Sequence, residues 1–95
     1  MHPLDALGNP TRREILQRLR YKPMSVQEIA DGFTVSRPAI SRHLAVLEET
    51  GLVETTSAGA RRLYSVRMQG FNGVRQFLDE FWSVAMARLE ALGPK

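Results

Sequence analysis

At Gly51 the chain changes its period, and that switch limits the possible folds more than any other feature of the 95 residues. Upstream, each segment is punctuated as a helix. Leu4–Leu7 is a short apolar segment worth a helical turn or two. Asn9-Pro10 reads as an N-cap followed by proline at the first helical position. Ile15, Leu16 and Leu19 then supply the apolar stripe of a helix over about residues 10–21, which Pro23 ends. Ser25-Val26-Gln27-Glu28 matches a capping box and opens a short helix running to about Asp31–Gly32. After the tight connection Phe33-Thr34-Val35, Ser36 caps a helix over about residues 37–50, with Pro38 in its first turn. Gly51 follows as the left-handed C′ stop.

Downstream the runs Leu52–Thr56 and Arg61–Val66 are rich in β-formers and flank Ser57-Ala58-Gly59-Ala60, a hairpin signal. Helical spacing returns over about residues 71–92. The order is therefore four helices, a hairpin and a long C-terminal helix. Two short helices joined by a tight turn and followed by a hairpin form the winged helix-turn-helix plan, mainly α with a β-hairpin wing.

Size and composition narrow the function classes. The length predicts one domain over residues 1–95, too short for a complete barrel or a doubly wound dinucleotide fold. No apolar run exceeds four residues, so no membrane span is expected. The start MHPLDALGNP lacks the basic region and apolar run of a secretory signal, which predicts a cytoplasmic chain. The composition includes no cysteine, excluding disulfides, thiolate metal sites and thiol nucleophiles. No glycine-rich phosphate loop or recognisable nucleophile–base pair is present, so no catalytic residue, metal or cofactor is assigned and no enzyme is expected.

Charge points toward nucleic acid. Thirteen basic residues stand against ten acidic ones, and eleven of the thirteen are arginine. Arginine suits bidentate recognition of phosphate or guanine, although a GC-rich coding bias produces the same excess. The basic segments 12–22 and 61–67 are far apart in the chain, so any patch has to be assembled by folding. On the 37–50 helix, counting about 100° per residue from Arg37 puts Ile40, Leu44 and Leu47 in one apolar stripe at about 280–340°. Pro38, Arg42 and Ala45 point the opposite way, with Ser41 and Arg37 beside them. Small residues with two arginines suit a helix that approaches base edges closely, and an ordinary solvated face explains the same pattern. His43, at about 240°, falls at the edge of the buried stripe. Arg61 and Arg62 follow the hairpin tip, where long side chains reach phosphates or a minor groove. Ser25 and Gln27 are candidates for a phosphate contact, and capping alone also accounts for Ser25.

The stretches NPTRREILQRL, SVQEIADGFTVSRPAISRHLAVLEETGLV and RRLYSV resemble the ArsR/SmtB family of bacterial winged-helix repressors, over roughly residues 4–92. The resemblance implies a homodimer on an inverted-repeat operator in double-stranded DNA, with base contacts from Arg37, Pro38, Ser41 and Arg42. With Ser36, His43, Arg61 and Arg62 these make up the candidate DNA-contacting set. Metal-sensing members of the family carry paired cysteines in the helix occupied here by Ser25–Gly32, or Asp, His and Glu ligands on the last helix. Here both histidines, His2 and His43, lie outside residues 71–92, and Asp79, Glu80 and Glu90 have no histidine partner. The chain therefore looks closer to the family's non-metal autorepressors, the SdpR-like group. The small-molecule or protein effector, if there is one, is not legible in these residues.

The 71–92 segment predicts the dimer seam. Phe71, Val74, Leu78, Phe81, Ala85, Leu89 and Leu92 form a stripe at three-to-four spacing, widened by Phe77, Trp82 and Val84. One side is expected to pack on the chain's own core and the remainder on a second copy, with Leu4 and Leu7 as companion surface. A winged-helix adaptor that binds protein instead of DNA is the alternative, and it has no need of Arg42, Arg61 and Arg62.

Overall fold

A computed structural model describes residues 1–93. Four helices, α1 (Pro3–Ala6), α2 (Pro10–Leu19), α3 (Val26–Ala30) and α4 (Arg37–Glu49), precede an antiparallel hairpin of β1 (Val53–Ala58) and β2 (Arg61–Val66). A 3₁₀ turn over Met68–Phe71 then leads into α5 (Asn72–Leu92).

Each of the helices α1 to α4 starts where a side chain accepts from its orphan N–H groups. Asn9 Oδ1 accepts from the Thr11 and Arg12 N–H groups, and Ser36 Oγ from that of Ala39. Ser25 and Glu28 cap reciprocally: Ser25 Oγ accepts from the Glu28 N–H, and Glu28 Oε1 from the Ser25 N–H at 3.0 Å. Ile15 and Leu19 of α2, Ile29 of α3 and Ile40, Leu44 and Leu47 of α4 close over Leu52, Val53 and Tyr64 in one core.

The structure departs from the sequence expectation in three main respects. Helix α2 stops at Leu19, capped by Arg20, rather than running to residue 21. The cause lies in the hairpin. Met24 exchanges two backbone hydrogen bonds with Tyr64, at 3.0 and 2.8 Å, as a one-residue third strand, so the chain must already be extended before Pro23. Strand β1 runs from Val53 to Ala58, not 52–56, because Ser57 and Ala58 pair with Arg62 and Arg61. The turn is thus Gly59-Ala60 rather than 57–60. A wing tip exposed on both faces shows no alternation, so hydrophobic patterning is silent there.

The third difference is larger. No residue of α5 is buried, and only Phe71 and Val74 at its base are half-covered. The expectation that one whole side packs on the chain's own core is therefore corrected: beyond its first turn the helix projects away. The molecule measures 62 × 26 × 25 Å, with a radius of gyration of 17.2 Å, against about 12–13 Å for a compact domain of this length. The core is complete without α5, so nothing draws that helix back onto it.

The launch point of α5 depends on a close backbone approach. A Cβ at Gly70 would lie 1.8 Å from the Gly51 carbonyl oxygen. Gly70→Ala should therefore cost about 1–3 kcal/mol, the usual range for overpacking, read as a lower urea midpoint at unchanged m-value. An unshifted midpoint would disprove this contact.

Candidate nucleic-acid interface

The helix-turn-helix is α3 and α4, joined through residues 31–36. Ile40, Leu44 and Leu47 anchor α4 with no exposed surface. That orientation leaves Ser36, Arg37, Pro38, Ser41, Arg42 and Ala45 exposed on the other side. Among the described residues Arg42 makes no hydrogen bond or ion pair. The remaining cations near α4 are held. Arg37 donates to Gln27 Oε1 at 2.8 Å, linking the starts of the two helices.

The wing closes against the same surface. Arg61 forms an ion pair with Glu28 of α3. Arg62 reaches Glu48 Oε2 of α4 at 3.4 Å and lies 5.7 Å from the Tyr64 ring centroid. Thr55 of β1 donates to the same Glu48 oxygen at 3.3 Å. Ser25, Gln27, Arg37, Arg61 and Arg62 consequently line one concavity of about 330 Å³ between α3, α4 and the wing. Positions 25–27, 37 and 61–62 are thus brought together. Glu28 is held below the ordinary carboxylate range, first by the Ser25 N–H and hydroxyl and then by the Arg61 and Lys22 charges, so it stays ionised.

His43 is half-buried and turned away from this face, its Nδ1 3.5 Å from the Arg12 guanidinium. Burial, and then the charges of Arg12 and Arg42, lower its pKa, so the ring is neutral at pH 7. The basic segment 12–22 also works largely inward. Arg12 Nε donates to the Ala6 carbonyl at 2.7 Å and Arg13 to that of Leu7 at 2.8 Å. Arg18 donates to the Gly32 carbonyl at 2.7 Å and stacks 4.5 Å from the Phe33 ring centroid. These arginines tie helix ends together. Sequence reasoning missed that, along with the second partner of Glu28 and the role of Glu48. The capping box marked Glu28, but nothing in the sequence marked its partner 33 residues away.

At the other end, Leu4, Leu7 and Val74 are half-buried where α1 meets the base of α5. Leu78, Phe81, Trp82, Ala85 and Leu89 lie exposed along α5, with Phe81 at 62% and Trp82 at 67%. Phe77 and Phe81 meet edge to face at 5.0 Å. Among the described residues no group of three or more His, Cys, Asp or Glu side chains is arranged to hold a metal ion. No described helix is long and apolar enough to cross a membrane.

Comparison with known proteins agrees with this architecture. Residues 7–56 match the family model described as a helix-turn-helix domain. The chain is 44% identical to the HTH-type transcriptional regulator Rv2034 of Mycobacterium tuberculosis over 81 residues, covering 85% of this chain and 76% of that one. It is 36% identical to the transcriptional repressor SdpR of Bacillus subtilis over 61 residues, covering 64% and 68%. Among solved structures, a possible transcriptional regulator for arsenical resistance superposes with a TM-score of 0.80 at 37% identity, covering 100% of this chain and 99% of that one. The homodimeric winged helix-turn-helix domain of Mb0332 from Mycobacterium bovis, described as a possible ArsR-family regulator, gives 0.65 at 30% identity, covering 80% and 74%. By its helix order, its hairpin wing and these relationships, the chain belongs to the ArsR family of winged helix-turn-helix transcriptional regulators.

Proposed function

We propose that the protein is a homodimeric cytoplasmic repressor that occupies an inverted-repeat operator, with α4 in the major groove and the wing on the flanking backbone. Arg42 and Arg37 read base edges, Pro38 and Ser41 allow close approach, and Arg61 and Arg62 meet phosphate or the minor groove. The observation that carries this reading is the exposed Arg42 guanidinium, free of intramolecular partners among the described residues, on the α4 face beside the wing. A solvent-facing cation without a partner is ready for bidentate donation to guanine O6 and N7. Ser36 caps α4 at the end nearest the DNA. His43, neutral and turned toward Arg12, sits behind this face and orients the helix. The homodimer is supported by the exposed apolar face of α5 and by the homodimeric Mb0332 relative. Whatever releases the repressor works without a thiolate or a histidine–carboxylate metal cluster, as in an SdpR-like autorepressor.

Selecting bound duplexes from a random pool with the purified protein should enrich an inverted repeat whose half-sites lie about one helical turn apart. On that operator Arg42→Ala should weaken binding by about 1–3 kcal/mol and relax the preference at one base pair per half-site. Enrichment of no sequence, or unaltered preference in the variant, would refute this reading.

A further inference from the structure

Both wing arginines already have anionic partners in the DNA-free protein. Arg61 pairs with Glu28 on α3, and Arg62 with Glu48 on α4. Each pair joins the wing to one helix of the helix-turn-helix, whereas Arg42 is left free. Glu28 is locked in place, because the same Oε1 that meets Arg61 also accepts the Ser25 N–H. A carboxylate fixed opposite a guanidinium offers the charge and acceptor geometry that a backbone phosphate would offer.

We propose that Glu28 is an intramolecular stand-in for DNA phosphate, occupying Arg61 in the free protein and competing with the duplex backbone for it. This rests on the DNA-binding reading above. Any duplex that recruits Arg61 must first displace Glu28, whose charge then lies unpaired beside the incoming phosphates. Glu28 therefore lowers sequence-independent affinity while leaving base readout by Arg42 untouched. The Glu48–Arg62 pair acts in the same sense more weakly, since the two groups approach only to 3.4 Å.

Glu28→Gln removes the charge but keeps an acceptor for the Ser25 N–H, since glutamine also completes a capping box. Binding to a random-sequence duplex, measured by fluorescence anisotropy at low and at high salt, is the test. Glu28→Gln should bind about 2–5-fold more tightly at low salt, the range expected for release of an exposed ion pair. The gain should shrink as salt screens the competition. In an Arg61→Ala background the same substitution should gain clearly less, since only the repulsion between Glu28 and phosphate is left to relieve.

Unchanged or weaker binding by Glu28→Gln would overturn the proposal, showing that the carboxylate positions Arg61 rather than competing for it. An equal gain without Arg61 would overturn it too, since it would reflect net charge alone. Either failure with normal wild-type binding leaves the DNA-binding reading standing. A wild-type protein that binds no duplex removes both. Glu48→Gln, which involves no cap, gives an independent arm with a smaller gain expected, reduced further in Arg62→Ala. Parity of Glu48→Gln with wild type would confine the competition to Glu28.

Discussion

Phe81→Glu should leave a folded monomer that no longer holds an inverted-repeat operator. Phe81 is 62% exposed in the protomer and no residue of α5 is buried, so the substitution disturbs no core contact. Circular dichroism should match that of the wild type, while the urea midpoint should fall by what dimerisation contributes and lose its dependence on protein concentration. In the proposed dimer the same position lies in the seam, where an unpaired carboxylate would have to be desolvated at a cost of several kcal/mol. Half-site contacts are then no longer linked, and the avidity of paired binding, typically 10²–10⁴-fold, disappears from operator affinity. Light scattering and operator titration report the two effects together. A Phe81→Glu variant that stayed dimeric would place the seam elsewhere, and a folded wild-type monomer at tens of micromolar would remove the dimer itself.

Leu44→Ala should have the largest effect on stability. Leu44 is fully buried on α4, in the layer that joins α1, α2 and α3 to the hairpin. Truncating a leucine in such a site costs about 2–5 kcal/mol in lost transfer energy and cavity formation. For a domain of this size, whose total stability is about 5–14 kcal/mol, that removes about a seventh at the least and nearly all of it at the most. The urea midpoint should fall steeply, and operator binding should fall with the folded fraction. Leu44→Met conserves volume and should cost less than about 1.5 kcal/mol. An alanine variant as stable as the methionine variant would show that α4 is not anchored through this side chain.

Most elements of the fold were legible because their signals are local. Asn9-Pro10, the Ser25–Glu28 box, Ser36 and Gly51 each act within one turn of backbone, and all four mark element ends in the structure. The apolar stripe of α4 was legible for a related reason: a 3.6-residue period places Ile40, Leu44 and Leu47 together whatever surrounds the helix. The opposite, exposed face follows from that stripe by geometry alone, which is why Arg37, Pro38, Ser41 and Arg42 could be picked out from the chain. The end of α2 and the reach of β1 were less legible. Both are decided by pairing, of Met24 with Tyr64 and of Ser57 and Ala58 with Arg62 and Arg61, between residues that carry no sign of each other.

The sequence by itself determined the order of elements, the buried face of α4 and the apolar stripe of the last helix, because each depends on residues a few positions apart. Only the tertiary structure decided what the charges do. Arg12, Arg13 and Arg18 read as part of a basic patch, yet they turn inward to carbonyls at the ends of α1 and α3. Arg61 and Glu28 lie 33 residues apart and meet because the hairpin folds back over α3. An arginine is equally able to meet a phosphate, a carboxylate or a carbonyl oxygen. Which it meets depends on the acceptor that the fold brings within about 3 Å, and no local pattern encodes that distance.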